Sequence, residues 1–175
     1  LYLWDYTTDF SNFPMPFANV CVLQDNIRFF RDMGVRYLFE QGNYCGPHGD
    51  FAELKAWLLA KWMWNPELPA KELLDDFFAG YYGAGAPFVR EYFEELHRLQ
   101  RTYSASGEHP LGIFDGCDNP AIPDSFLKRA ETLFARAAAA VAEDPIAGHN
   151  IGLAAFSVDC MRLERLKKKA QASVT

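Results

Sequence analysis

The sequence predicts an α/β fold, namely the last two βα units of a (β/α)8 TIM-type barrel followed by an all-helical C-terminal extension. Three observations support this prediction. Two short apolar runs are separated by a segment of helical periodicity, the segment after each run is long and polar, and only helical periodicity follows from about residue 67. We therefore expect residues 1–66 to form the barrel units and residues 67–175 to form a helical extension packed on the barrel.

The first unit has a strand–helix–strand pattern. Leu1–Asp5 reads as a strand, Asn19 is a candidate N-cap for a helix over residues 20–33, and Gly34 suits its left-handed C-terminal cap. Val35–Phe39 follows as the second strand with almost no linker. Such a unit predicts two neighbouring parallel strands with the helix crossing over one face of the sheet.

The rest of the chain reads as helical. Asp50 with Glu53 three residues later has the spacing of a capping box, which predicts a helix that ends at Asn65-Pro66. The next helix is expected over Ala70–Ala79 and is expected to close at Gly80. Four aromatic side chains at core spacing are expected to be largely buried: Phe77, Tyr81, Phe88 and Phe93.

Composition excludes several classes of function. The formal net charge of −6 argues against nucleic-acid binding, and no apolar run approaches the ~20 residues of a membrane span. The four cysteines form no CxxC pair, so a structural zinc site is not expected; Cys45 and Cys117 could pair, although free thiols are the default. Because Leu1 lies inside a strand-like run, we expect an N-terminal part of the same protein to be missing, which leaves localisation open.

Two carboxylates follow the predicted strands directly. Asp5 ends the first apolar run and Glu40 ends the second, and aromatic residues surround both. They could be helix caps and strand-end solvation, or they could be an active site. Paired carboxylates suit the hydrolysis of glycosidic bonds, and aromatic rings suit the apolar faces of sugars. His48 could act as a ligand or an acid/base, but a loop histidine beside a helix start is usually neither.

Longer stretches of the sequence resemble a known family. WDYTTDF with FPMPF, then NIRFFRDMGVRYLFEQG, DFAELKAWLLAKWMWNPEL and LLDDFFAGYYGAGAPFVREYFEEL resemble a large bacterial family of uncharacterised function. That family looks like a glycoside hydrolase barrel related to α-glucuronidases and, more remotely, to β-hexosaminidases. The resemblance covers about residues 1–100. It implies that the two strands are late barrel strands, and that Asp5 and Glu40 match the water-activating Asp and Glu. The acid would then lie in the missing N-terminal part.

These observations lead to one expected function and one alternative. The chain is expected to be a fragment of a glycoside hydrolase that acts on a polysaccharide or its oligosaccharides, inactive in isolation, with no metal and no organic cofactor. Asp5 and Glu40 are the expected catalytic residues, and their repulsion should raise the pKa of at least one of them. The expected sugar-binding residues are Trp4, Tyr6, Gln41, Asn43, Tyr44 and His48. The alternative is a non-catalytic carbohydrate-binding or scaffold module.

Overall fold

The computed structural model describes residues 1–46, 48–107 and 110–173. The chain begins with a strand–helix–strand–helix segment: β1 (Tyr2–Tyr6), α1 (Val20–Asp32), β2 (Tyr37–Gln41) and α2 (Ala52–Trp64). Four further helices follow, α3 (Ala70–Tyr82), α4 (Ala86–Ala105), α5 (Asp124–Ala140) and α6 (Pro145–Ala172), with a short 3-10 helix (Gly83–Gly85) between α3 and α4.

The two strands form a parallel pair, as the strand–helix–strand pattern predicts. Tyr2 pairs with Tyr37 and Tyr6 pairs with Gln41, with no shift of register between them. Gly34 has φ +77° and makes the left-handed turn that brings the chain from α1 to β2 with almost no linker. The position of the strand ends relative to each other is therefore fixed by one short αβ turn.

The barrel prediction is wrong. The described residues contain one sheet of two short strands, and 63% of them are helical, so the fold class is mostly helical. No further βα repeat follows α2 among the described residues. A single strand–helix–strand unit has the same local pattern whether it belongs to a large barrel or is joined to a set of helices, which is why that pattern did not reveal the class.

The helices after residue 67 are present as predicted, with one boundary corrected. α3 does not stop at Gly80 but continues to Tyr82, where Gly83 adopts φ +51°. Phe77 and Phe93 are buried as expected, whereas Tyr81 and Phe88 are only half-buried. A side chain at Gly80 would meet no atom within 4 Å, so nothing forces the helix to end there.

One hydrophobic core runs through both parts of the chain. α4 lies at its centre, with Val89, Tyr92 and Leu96 fully buried, and α5 packs against both α4 and α6. The helices approach closely at Gly85, where an added Cβ would lie 2.5 Å from Ile151 Cδ1. The core also includes Leu54, Leu58 and Trp62 of α2, the helix whose first turns line the candidate site described below. None of the described helices is long and apolar enough to span a membrane.

Candidate functional site

The two strand-end carboxylates lie side by side. Asp5 of β1 pairs with Glu40 of β2 in the parallel register. Because side chains alternate between the two faces of a sheet, both carboxylates share a face with Leu3 and Leu38. Leu38 packs against the hydrophobic core, so this face is the one that is turned towards the helices. The strand register thus makes Asp5 and Glu40 neighbours on one face, whereas of the two only Glu40 is among the described residues that line the cleft.

The carboxyl group of Glu40 is electrostatically unusual. Burial raises its pKa to about 7, and the negative charge of Asp5 adds to the increase. Its Oε2 is buried and has no hydrogen-bond partner in the described part of the chain. A carboxyl group with this pKa can give or take a proton close to neutral pH.

Glu40 opens onto a cleft of about 350 Å³. The cleft lies between the ends of the strands, the segment after β2 and the first two turns of α2. Asn43 and His48, both expected sugar-binding residues, line it with Glu40. The remaining lining residues are Thr7, Thr8, Gly42, Gly49, Asp50, Ala52, Glu53, Lys55, Ala56 and Leu59. Its size is at the lower end of the range for small-molecule sites.

A buried ion pair forms the inner wall of this cleft. Lys55 Nζ lies 3.8 Å from Asp50 Oδ2, and both side chains are almost fully buried. They hold the backbone of Phe17 between them: the Phe17 amide donates to Asp50 Oδ2 (3.0 Å) and Lys55 Nζ donates to the Phe17 carbonyl (3.2 Å). Burial raises the pKa of Asp50 and lowers the pKa of Lys55, and each charge partly offsets the shift of the other. The pair therefore fixes the β1–α1 segment against α2.

This arrangement corrects the predicted cap of α2. The helix begins at Ala52, not at Asp50, and its first turn has no side-chain cap hydrogen bond. Phe51 has φ +47°, a left-handed conformation that is costly for a non-glycine residue, and its ring packs against Tyr92 and Phe93 in the core. With Phe51 anchored in this way, the Asp50 carboxylate is left to bind Phe17.

A second buried carboxyl group lies near the ion pair. Burial raises the pKa of Asp9 to about 6, with a smaller contribution from the charge of Asp115, while the Ser11 amide, which donates to Asp9 Oδ1 (2.8 Å), opposes the increase. The charge of Lys55 also acts to lower it. The loop after β1 thus contributes a titratable group that the sequence analysis did not select.

His48 is buried against the same cleft. Neither of its ring nitrogens has a hydrogen-bond partner in the described part of the chain. Nδ1 lies 3.8 Å from Glu53 Oε1, and the proximity of the imidazole lowers the pKa of Glu53. The ring also lies near Phe156 of α6, with 6.5 Å between the ring centroids. The imidazole therefore forms a part of the cleft wall in which neither nitrogen has a partner among the described residues.

Other expected sugar-binding residues lie on the opposite face of the sheet. Trp4 is 61% exposed and Tyr6 is 42% exposed. Trp4 Nε1 donates to Gln41 Oε1 (2.7 Å), and its ring centroid lies 4.8 Å from that of Phe39. The exposed aromatic face of the sheet is completed by Tyr2 stacked on Tyr37 at 4.4 Å. Trp4, Tyr6 and Gln41 are therefore separated from the carboxylate cleft by the sheet itself.

Tyr44 belongs to a different group. Its ring packs edge-on against Phe13 at 5.4 Å and lies near Phe10 at 6.3 Å, and Phe10 also contacts Tyr6. Tyr44 is 72% exposed and is not among the residues that line the cleft. The expected site is thus divided into three groups. Glu40, Asn43 and His48 line the cleft next to Asp5, Trp4, Tyr6 and Gln41 lie on the opposite face of the sheet, and Tyr44 packs with Phe10 and Phe13.

The residues that give the cleft its charge are not among the predicted site residues. In the sequence, Asp50 and Glu53 have only the spacing of a capping box, and no pattern singles out Lys55. The signal that was present is the polar run Thr7-Thr8-Asp9 directly after β1, all three of which are buried. In the part of the chain that the structure describes, no group of three or more His, Cys, Asp or Glu residues could hold a metal ion. The four cysteines are free thiols.

Comparison with known proteins gives a family but no named relative. No curated protein and no solved structure matches the chain. The family described as "Domain of unknown function (DUF4838)" matches residues 1–94 of the 175, a stretch that contains both strands, both carboxylates and the whole cleft. Because this match extends over more than half of the chain, the protein belongs to the DUF4838 family.

Proposed function

We propose that this chain provides the carboxylate pair of a glycoside hydrolase. The observation that supports the proposal most is the direct pairing of Asp5 with Glu40 at the ends of adjacent parallel strands, with the Glu40 carboxyl group facing a polar cleft. Adjacent strands lie ~4.8 Å apart, so carboxyl groups on neighbouring strand ends can approach to the ~5–5.5 Å that retaining enzymes use.

The different surroundings of the two carboxylates favour a division of roles. Glu40, with its pKa raised to about 7, keeps a proton near neutral pH and can donate it to the oxygen of the leaving sugar. Asp5 lies beside it and attacks the anomeric carbon as a carboxylate, so that the bond to the leaving oxygen breaks as the bond to Asp5 forms. Glu40 then removes a proton from water, which releases the sugar from Asp5.

The other polar groups of the cleft suit sugar binding. The unpaired nitrogens of His48 and the side chains of Thr7, Thr8 and Asn43 offer donors and acceptors to hydroxyl groups. The ion pair of Asp50 and Lys55 holds the loop that carries the two threonines against α2. In this proposal the pair acts on the position of the binding groups and does not touch the reacting atoms.

The test is turnover of a panel of 4-nitrophenyl glycosides by the protein that carries this sequence. Glu40→Gln and Asp5→Asn should each lower kcat about 10³-fold or more, because each role has no substitute. Glu67→Gln is the matched control, since Glu67 is an exposed carboxylate paired with Arg28 and Arg31. Azide should rescue an acid/base variant such as Glu40→Ala by forming a glycosyl azide with retained configuration. Unchanged turnover in both carboxylate variants would contradict the proposal.

A non-catalytic carbohydrate-binding role is the second candidate, and the exposed aromatic face of the sheet favours it. Tyr2, Trp4, Tyr37 and Phe39 are all more than half exposed and form two contacting ring pairs. Flat aromatic surfaces of this kind suit the C–H faces of pyranose rings. If this role is the correct one, polysaccharide binding will persist in the Asp5→Asn/Glu40→Gln double variant and will be lost in Trp4→Ala.

A further inference from the structure

A second cleft, of about 540 Å³, lies where α1, α2, α3 and α4 meet. The two clefts share none of their described lining residues, and the volume of the second suits a small organic molecule. Its apolar lining is provided by Trp62 and Phe93, which are almost fully buried, together with Val20 and Leu74. A ligand with an apolar body would therefore pack against a surface formed by four helices.

His97 of α4 gives this cleft a hydrogen-bond acceptor. Its Nδ1 lies 2.8 Å from the Phe93 carbonyl, and because a carbonyl can only accept, Nδ1 carries the proton. Nε2 is then left as an acceptor. It is buried and has no hydrogen-bond partner in the described part of the chain. Burial lowers the pKa of His97 to about 3, so that the ring stays neutral at ordinary pH.

The cleft is also lined by Arg101, a cation without a partner among the residues that the structure describes. Arg90 is bound to Glu94 (2.6 Å) and Asp75 (3.2 Å), whereas Arg101 has no ion pair or hydrogen bond with the residues that the structure describes. Arg101 lies four residues after His97 on α4, so both occupy the same face of the helix, ~6 Å apart along its axis. Its positive charge acts on both His97 and Cys21, which lines the cleft from α1.

We propose that this cleft binds a small hydroxylated carboxylic acid with an apolar body. The carboxylate pairs with Arg101, the hydroxyl group donates to Nε2 of His97, and the apolar body packs on Trp62 and Phe93. The two polar groups of the ligand thus meet Arg101 and Nε2 of His97, neither of which has a hydrogen-bond or ion-pair partner among the described residues. The inference is independent of the proposed glycoside hydrolase activity, because none of its residues belongs to the carboxylate cleft.

The first experiment measures the affinity of 4-hydroxyphenylacetate by calorimetry, since its ring separates a hydroxyl group from a carboxylate. Phenylacetate lacks the hydroxyl group and 4-hydroxyphenylacetamide lacks the charge, and we expect Kd to rise about fivefold and about tenfold respectively. Arg101→Gln should weaken binding of the parent ligand about tenfold. His97→Phe should remove the difference between the hydroxylated and the plain ligand, and His97→Gln, which keeps an acceptor, should restore part of it.

The second experiment places the ligand in this cleft. Cys21 is exposed and lines the cleft, while Cys45 is exposed but lies outside it, so the two thiols form an internal comparison. Saturating ligand should slow alkylation of Cys21 by iodoacetamide about tenfold and leave Cys45 unchanged, as read from the modified peptides by mass spectrometry. The proposal is overturned if the protein does not bind the ligand at millimolar concentration. It is also overturned if folded Arg101→Gln and His97→Phe bind as wild type does, or if both thiols are protected equally.

Discussion

The two parts of the molecule bury different kinds of side chain. Residues 1–66 bury Asp9, Asp50 and Lys55, and the cleft beside them holds Glu40, whereas residues 67–173 bury mainly aliphatic and aromatic groups around α4. Burying charge costs stability unless each charge has a partner, and apolar burial carries no such condition. Burial in the helical part is therefore mainly stabilising, whereas the first part also bears the desolvation cost of holding titratable groups in a fixed arrangement.

The largest effect is expected from breaking the buried ion pair. Lys55→Met leaves the buried carboxylate of Asp50 without its cation, which should lower the free energy of unfolding by ~3–5 kcal/mol at pH 7. The loss should shrink at lower pH, because the raised pKa of Asp50 allows it to become neutral. Urea unfolding at pH 5 and pH 7 measures both effects.

The double variant Asp50→Asn/Lys55→Met sharpens this prediction. It removes both charges, and the amide oxygen of Asn can still accept from the Phe17 amide. The double variant should therefore regain most of the unfolding free energy that Lys55→Met loses. A double variant as unstable as Lys55→Met alone would show that packing of the lysine stem, not the charge on Asp50, determines the loss.

A large effect without pH dependence is expected in the helical part. Leu96 of α4 is completely buried, and Leu96→Ala should lower the free energy of unfolding by ~2–5 kcal/mol through lost burial and the cavity that remains. Leu163 of α6 is 53% exposed. Leu163→Ala is therefore the matched control and should change the free energy of unfolding by less than ~0.5 kcal/mol. Thermal unfolding followed by circular dichroism gives both values. Similar losses in the two variants would contradict the placement of the core around α4.

The smallest of these effects on stability is expected from the titration of Glu40, and the raised pKa of this group determines its sign. Its pKa of about 7 in the folded protein lies above the ordinary value of 4.5, so the folded state holds the proton more tightly. The contribution of this group is therefore fully favourable below pH 4.5 and is lost as the pH rises through 7. After allowance for solvent screening, the loss is ~1–2 kcal/mol.

Glu40→Gln isolates this contribution from that of Asp9, whose raised pKa has the same sign. Relative to wild type, the variant should gain ~1–2 kcal/mol in unfolding free energy between pH 5 and pH 8, as measured by urea unfolding. His97 in the helical part acts in the opposite direction: its lowered pKa makes the protein less stable as the pH falls from 6.5 towards 3. A variant with the pH profile of wild type would mean that Glu40 titrates as an exposed carboxyl group.

Short-range patterns were sufficient to predict the strand pair and the position of its carboxylates. The single turn at Gly34 leaves β2 little choice of position, and the end of each apolar run locates Asp5 and Glu40. Side chains of a strand point alternately to its two faces. This rule alone predicts that Trp4, Tyr6 and Gln41 lie on the face opposite to the carboxylates.

Long-range features could not be predicted in the same way. One strand–helix–strand unit does not reveal how many strands its sheet contains, so the barrel was inferred from a pattern that two strands satisfy equally well. Asp50 fits a capping box locally, but its partner is the Phe17 amide 33 residues earlier in the chain. Burial of Asp9 and Lys55 likewise depends on the packing of the β1–α1 segment on α2, which no local spacing encodes.

The most direct test of the account is the titration of the Glu40 side chain by ¹³C NMR, with its carboxyl resonance assigned from the spectrum of Glu40→Gln. We expect a midpoint near pH 7 in the wild-type protein and a lower midpoint in Asp5→Asn, because the charge of Asp5 adds to the effect of burial. A wild-type midpoint near the ordinary value of 4.5, unchanged in Asp5→Asn, would contradict the coupled carboxylate pair on which the proposed function rests.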